Sequence, residues 1–208
     1  MAEKPFPRPA LVVAALFLAG AVAAASPGGT ASAAESPVVV GIRGGVDVVA
    51  ASQYTNQPES VTGDLFVRFF PGPSVAVEAT VGYRSASYDQ ASGLSSSSFS
   101  IRQVPIMAGA AWVFLPGQAF RPRLGAGIAV LPTRTKSTTS LSPGREETFE
   151  TSSTVIGGYV EGGLQAPIQE KLMAEVSFRY VLNPVPQESG KPSSQNYFSA
   201  LFGLSARF

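Results

Sequence analysis

The chain has 208 residues, of which 45% are hydrophobic and 14% are charged, and its formal net charge is +1 at pH 7. This small net charge argues against nucleic acid as a partner, because nucleic-acid binding depends on a clear excess of Lys and Arg. The sequence contains no cysteine and no histidine, so we predict no disulfide, no metal site and no cofactor, and catalysis by a histidine-activated nucleophile is excluded.

The N-terminus has the order of a secretory signal peptide. Lys4 and Arg8 precede an apolar run at 10–25, and Ser, Pro and Gly follow it. The run is too short to span a membrane comfortably. A charged start, an apolar middle and small residues at the end are typical of a signal that is cleaved after export.

Two Ala-x-Ala cleavage sites follow, ending at Ala25 and at Ala33, and the sequence does not choose between them. We therefore expect the signal peptide to be residues 1–25, with 33 as the alternative end. We assign residues 34–208 to a single domain.

Beyond the signal peptide, no stretch shows a sustained helical period. Gly, Pro and β-branched residues instead mark short segments with turn signals between them, a pattern typical of β-strands. We predict eight strands, at approximately 37–51, 60–70, 73–86, 99–114, 120–134, 152–167, 171–183 and 196–208.

The connections between these strands alternate in length. Short links rich in Pro and Gly, such as "PGP" and "LPGQA", join the second strand to the third, the fourth to the fifth and, as "PIQE", the sixth to the seventh. The other four links are longer and polar, and the third of them, residues 135–153, is the longest. Tight turns at one end and long loops at the other indicate an up-and-down antiparallel sheet.

Each predicted strand has one apolar face and one face that carries its charges, as the period of two in a β-strand allows. The charged side chains are spaced by Gly, Ala, Ser and Thr. We predict that they line the interior of a barrel as an ion-pair network, because buried carboxylates have to be paired with cations. The predicted network is Arg43, Asp47, Asp64, Arg68, Glu78, Arg121, Arg123, Glu161, Glu175, Arg179 and Arg207.

A soluble barrel turns its apolar face inward, whereas a membrane barrel turns it outward to lipid. Two features favour the membrane barrel. The charged faces carry mainly Arg, Asp and Glu, and the forked Arg side chain suits paired sites in a buried lumen. Aromatic residues of the apolar face also lie near the strand ends, as in the interfacial belts of membrane barrels. These interface aromatics are Phe69, Trp112, Phe114 and Phe120 beside the short turns, and Tyr83 and Tyr180 nearer the loops.

The C-terminal stretch "ALFGLSARF" places Phe202, Leu204, Ala206 and Phe208 on alternate positions and ends in an aromatic residue. It resembles the C-terminal assembly signal of the small eight-stranded outer-membrane β-barrels of Gram-negative-type bacteria, the group of the OmpA membrane domain and OmpX. Ala206 stands where that family more often has an aromatic or larger apolar residue. The resemblance covers the chain from about Val38 to Phe208.

This resemblance implies an all-β fold, an eight-stranded antiparallel up-and-down transmembrane β-barrel, in the cell outer membrane. It also implies outer-membrane lipid and the barrel assembly machinery as partners. We expect a monomer. Eight strands enclose an interior that side chains can fill, so we expect no wide pore.

The function that this architecture favours is a structural and surface-interaction role, with a filled lumen and four exposed loops. No motif in the loops identifies a ligand. Barrel enzymes of this kind use a catalytic histidine, so we predict that the protein is not an enzyme. Two alternatives stay open: a narrow channel for small solutes, and a soluble periplasmic lipocalin-like binder of an apolar ligand.

Overall fold

A computed structural model of the chain describes residues 38–49, 59–92, 95–115, 118–141, 145–182 and 196–208. The predicted signal peptide and most of the first and fourth long loops lie outside these ranges. Within them no helix is long and apolar enough to cross a membrane. The regular elements described are β1 (Val38–Val49), β2 (Glu59–Gly72), β3 (Val75–Ser92), β4 (Ser95–Gln103), β5 (Ile106–Val113), β6 (Arg121–Leu141), β7 (Arg145–Pro167), β8 (Leu172–Leu182) and β9 (Tyr197–Arg207).

These strands form one antiparallel sheet that closes on itself. Strands that follow one another along the chain are paired, except β4 and β5, and β1 pairs with β9 from Val39↔Arg207 to Val49↔Tyr197. The backbone N–H of Phe208 continues this seam by donating to the carbonyl of Val38 over 2.9 Å. Because β4 and β5 lie end to end between β3 and β6, the ring is eight strands around. The predicted eight-stranded barrel is confirmed.

The fourth predicted strand, 99–114, is broken into β4 and β5 at Val104 and Pro105. Proline has no N–H to donate to the ladder, and Pro132 faces the same point from β6. The chain nevertheless keeps its place in the ring. The Val104 N–H donates to the Pro132 carbonyl over 3.0 Å, and the Gly82 N–H donates to the Pro105 carbonyl over 2.8 Å.

The prediction of a third long loop at 135–153 is wrong, because most of these residues form the paired ends of β6 and β7. The register runs without interruption from Arg121↔Gln165 to Leu141↔Arg145. Its Ser and Thr residues suggest a loop by polarity, but Thr is also β-branched and favours strands. Hydroxyl pairs join neighbouring strands here, as between Ser97 and Thr139 at 3.2 Å.

Four strands therefore extend beyond the ring on the side of the long loops. β2 pairs with β3 only as far as Glu59↔Ser87, and β8 pairs with β7 only as far as Leu182↔Gly158. Past these points β3, β4, β6 and β7 continue as a sheet of their own. We name it the projecting sheet, and it consists of residues 88–92, 95–99, 137–141 and 145–157.

The two faces of the ring have opposite chemistry. Outward side chains such as Leu65 and Phe202 are 63% and 66% exposed, whereas the inward Arg68 and Glu161 are 0% and 2% exposed. A soluble barrel has the reverse arrangement, with apolar residues inside and charges in water. The alternative of a soluble lipocalin-like binder is therefore wrong.

Inward glycines make room for the large side chains of the interior. A Cβ added to Gly203 on β9 would lie 2.6 Å from Cγ of Arg43 and 2.6 Å from the carbonyl oxygen of Ile42. Gly44 faces outward on the neighbouring strand, and a Cβ there would lie 3.9 Å from its nearest neighbour, the carbonyl oxygen of Thr62.

This difference yields a minimal test of the interior packing. Gly203→Ala is expected to destabilise the barrel by about 1–3 kcal/mol, the usual cost of overpacking, because the backbone carbonyl of Ile42 cannot move without disturbing the ladder. Urea unfolding in phosphatidylcholine vesicles measures the change in midpoint. Gly44→Ala is the matched control and should leave the midpoint unchanged. Equal midpoints for the two variants would contradict this account of the interior.

Candidate functional site

The interior of the ring holds a cluster of buried charges from six strands. Inward residues alternate with outward ones along every strand, and each of these six strands supplies one or two of the side chains. Four guanidinium groups and four carboxylates meet, and their formal charges cancel. We name this set the ionic cluster, and it consists of Arg43, Asp64, Arg68, Glu78, Arg123, Glu161, Glu175 and Arg179.

Arg43 of β1 lies at the centre of the ionic cluster. Its Nη1 donates to Oε1 of Glu161 over 2.8 Å, and its Nη2 donates to Oε1 of Glu78 over 2.8 Å. Asp64 and Glu175 lie slightly farther away, at 3.5 and 3.4 Å. One guanidinium therefore joins carboxylates from β2, β3, β7 and β8.

Arg68 joins two of these carboxylates from the side of the short turns. Its Nε donates to Glu78 over 2.8 Å, and its Nη1 lies 3.2 Å from Glu175. Glu175 also accepts a hydrogen bond of 2.9 Å from the side-chain amide of Gln165. The ring of Phe66 lies against both Arg43 and Arg68, with its centroid 4.4 and 4.7 Å from their guanidinium carbons, which adds a cation–π contact to each.

Arg179 and Arg123 complete the cluster from β8 and β6. Nε of Arg179 donates to Glu161 over 2.6 Å, and its Nη1 lies 2.7 Å from Asp64. Arg123 pairs with Glu161 as well. Every carboxylate of the cluster thus has at least two arginines within 4 Å.

Apolar side chains close the interior on both sides of the ionic cluster. At the short-turn end Val39, Met173 and Phe70 pack together with Phe66, and Val113 packs against Phe70 beside them. At the long-loop end a second group fills the space between β5, β6, β7, β8 and β9. This group is Met107, Ala129, Leu131, Tyr159, Val181 and Tyr197. The ionic cluster therefore has apolar side chains on both sides along the barrel axis.

A separate ion pair lies nearer the long loops. Nε of Arg84 donates to Asp47 over 2.7 Å, and the Ser60 hydroxyl donates to the same carboxylate over 3.3 Å. The Arg84 guanidinium carbon lies 4.2 Å from the ring centroid of Tyr197. Arg84 was missing from the predicted network, although it shares the inward parity of Glu78 on β3. That parity was the signal that could have found it.

The other predicted charges occupy different positions. Of the eleven residues in the predicted network, the structure brings eight into the ionic cluster and pairs Asp47 with Arg84. Arg121 and Arg207 also have inward parity, but they lie at the short-turn rim and are partly exposed. The reason is their place as the first residue of β6 and the last residue of β9.

The predicted interface aromatics lie on the outward face to different extents. Trp112, Phe114 and Phe120 are exposed at the short-turn end, and Tyr83 is exposed toward the long loops. Phe69 and Tyr180 are only partly exposed. In the C-terminal stretch, Phe202, Leu204 and Phe208 are exposed on the same face and Ala206 is partly buried. A stacked pair that the sequence did not reveal, Phe178 and Phe198, adds to this face with ring centroids 5.8 Å apart.

This arrangement of charges favours a structural role of the ionic cluster over a role in acid–base chemistry. A carboxylate held by two guanidinium groups is stabilised as the anion and is a poor proton acceptor. Within the described residues, no group of three or more Asp and Glu side chains is placed to hold a metal ion. The ionic cluster is best suited to tying opposite walls of the barrel together.

Breaking the cluster should be far more costly than changing a surface charge. Glu161→Gln removes the anion that Arg43, Arg123 and Arg179 share, and we expect a loss of about 3–5 kcal/mol because buried cations are left uncompensated. Emission of Trp112, the only tryptophan in the sequence, reports urea unfolding from lipid vesicles. Glu170→Gln, on the exposed turn before β8, is the control. Indistinguishable unfolding curves for the two variants would show that the cluster does not hold the barrel.

Comparisons with known proteins agree on one architecture. The profile of the family described as outer membrane protein beta-barrel domain matches residues 12–208. Among curated proteins, none matches the sequence significantly. Solved structures of similar fold include Neisserial surface protein A (NspA), at 15% identity and a TM-score of 0.56, where the match covers 84% of this chain and 99% of that one.

Two further structures have the same fold. OprG from Pseudomonas aeruginosa has 15% identity and a TM-score of 0.54, with 84% of this chain and 97% of that chain covered. Ail, the attachment invasion locus protein of Yersinia pestis, has 14% identity and a TM-score of 0.50, with 84% and 100% covered. At these identities the likeness concerns the fold alone.

Proposed function

Because the chain belongs to the outer membrane protein β-barrel domain family, we propose that it is a rigid outer-membrane support that presents a β-sheet to the external medium for interaction with other molecules. Its location is the outer membrane. We also propose that the signal peptide is cleaved, that the barrel assembly machinery recognises the C-terminal stretch, and that the barrel is a monomer.

The observation that carries this proposal is the projecting sheet. A strand needs only about 9–11 residues to cross a bilayer, whereas β6 has 21 residues and β7 has 23. The excess lies on the side of the long loops. A paired four-stranded sheet holds a defined surface outside the membrane, which a disordered loop of the same composition does not.

One edge of the projecting sheet offers a specific mode of binding. Within the described part of the chain, residues 145–157 of β7 pair with β6 on one side and with no strand on the other. Most of their side chains are polar and exposed. An exposed strand edge is a template for an extended polypeptide, which binds through main-chain hydrogen bonds. We therefore assign an extended segment of another protein as the partner class.

The names of two structural neighbours support an interaction role. Ail is named the attachment invasion locus protein, and NspA is named Neisserial surface protein A. Both names concern those proteins alone. They support an interaction role for this barrel as a proposal, because the shared fold leaves the same end of the barrel open to the medium.

Trimming the projecting sheet tests this proposal. Residues 135–151 are replaced by Asn-Gly, which favours the two-residue turn between Arg134 and Ser152, a directly paired position. The wild-type protein should enrich extended sequences from a library of random linear peptides, and the trimmed protein, which keeps only residues 152–157 of the β7 edge, should bind them more weakly. Its barrel should still resist SDS until boiled, since the closed sheet satisfies its own backbone bonds. Binding of the same peptides with undiminished affinity by the folded trimmed variant would contradict the proposal.

The filled interior yields a second test, which distinguishes the proposed role of a rigid support from the alternative role of a narrow channel. With apolar side chains on both sides of the ionic cluster, the wild-type protein should carry no steady current in a planar bilayer. Arg68→Ala and Arg179→Ala remove side chains from the ionic cluster and should each raise the current if the protein still shifts on boiling in SDS. A wild-type conductance that both substitutions leave unchanged would argue for a conduit that bypasses the cluster.

A further inference from the structure

The outward face carries an unusual group of cations where the projecting sheet meets the ring. Along β6 the outward positions Leu124 and Ile128 are apolar and exposed, and the outward positions that follow beyond Pro132 are Arg134 and Lys136. Arg102 occupies the corresponding outward position on β4. The cations therefore begin where the apolar surface ends.

Two of these cations oppose each other directly. Arg102 and Arg134 are cross-strand partners in the register of β4 and β6, and like charges at such positions repel. Lys136 is the next outward residue on β6, and it lies directly opposite Glu150 of β7 in the strand register. Three positive charges thus share one small area of surface with one carboxylate.

That carboxylate neutralises only part of the positive charge. Glu150 accepts two hydrogen bonds from Arg134, at 3.0 and 2.9 Å. The hydrogen bond from Arg134 holds the pKa of the Glu150 carboxyl below its usual value, and the nearby charges of Lys136 and Arg102 act in the same direction. Within the described residues, neither Arg102 nor Lys136 forms an ion pair, so the single carboxylate of Glu150 offsets at most one of the three positive charges.

The position of the group identifies the medium that it meets. Tyr83, an exposed aromatic of the outward face, lies two residues before Ser85, which pairs with Arg102. Tyrosine at the end of an apolar band is typical of the membrane interface. Cations at this height contact lipid headgroups rather than the hydrocarbon core or open solvent.

We propose that Arg102, Arg134 and Lys136 bind the phosphate group of an anionic lipid headgroup in the leaflet on the long-loop side. The planar fork of Arg matches phosphate with two hydrogen bonds, and Lys supplies a compact charge. An anion between Arg102 and Arg134 relieves their repulsion. The site lies on the lipid-facing wall and would bind through cationic side chains, whereas the β7 edge would bind through its main chain, so this inference goes beyond the proposed surface interaction.

The test compares unfolding in three media: phosphatidylcholine vesicles, the same vesicles with phosphatidic acid, and phosphatidylcholine vesicles with inorganic phosphate in solution. Ligand that binds the folded state alone raises the apparent stability. The wild-type urea midpoint should rise with phosphatidic acid, and the rise should shrink at high salt because an exposed interaction is screened. An equal rise with inorganic phosphate would overturn the assignment to a lipid.

The variants assign the effect to these side chains. Arg102→Gln with Lys136→Gln should lose the rise that phosphatidic acid causes. Lys171→Gln, an exposed lysine at the short-turn end of the barrel, is the matched control and should keep it. The single variant Arg102→Gln, which should lose most of the rise, serves if the double variant does not refold. A full rise in the folded Arg102→Gln variant would overturn the proposal.

Discussion

The rest of this structure depends on the pairing of β1 with β9. Hydrocarbon offers no water to an unpaired N–H or C=O group, and each such group costs several kcal/mol, so a sheet that crosses a bilayer has to close. The seam between Val39↔Arg207 and Val49↔Tyr197 completes that closure. Closing eight strands also fixes the diameter, which leaves an interior that side chains can fill. The chemistry of both faces follows from this geometry.

Because the barrel is closed, the charges of the interior have to neutralise one another. A buried ion without a partner would cost several kcal/mol, and the wall of the barrel separates it from the solvent that could compensate. The ionic cluster meets this requirement with four cations and four anions. Its hydrogen bonds cross the lumen between strands that are not neighbours in the ring, as from Arg43 to Glu161. The ionic cluster thus stabilises the closed barrel in whose interior it is buried.

The sequence predicts the faces of the strands because alternation is local: Arg68 and Leu65 differ in parity within a single strand. It does not predict which charges meet. Arg43 and Glu161 are 118 positions apart, and their contact depends on strand tilt and stagger, which no short segment specifies. The errors have the same origin. Residues 135–153 are polar enough for a loop, and only their pairing across β4, β6 and β7 makes them strands.

The same type of side chain therefore has different electrostatic surroundings on the two faces. An inward arginine such as Arg179 finds its carboxylates inside the chain, at 2.6 and 2.7 Å. Arg102, outward and beyond the apolar band, finds a second arginine opposite. Because the barrel wall separates the faces, the neutral interior cannot compensate the outer cations. Glu150 offsets one of these charges, and in our proposal an anionic lipid offsets the others, which would make the electrostatics of the outer rim, rather than those of the lumen, depend on the surroundings.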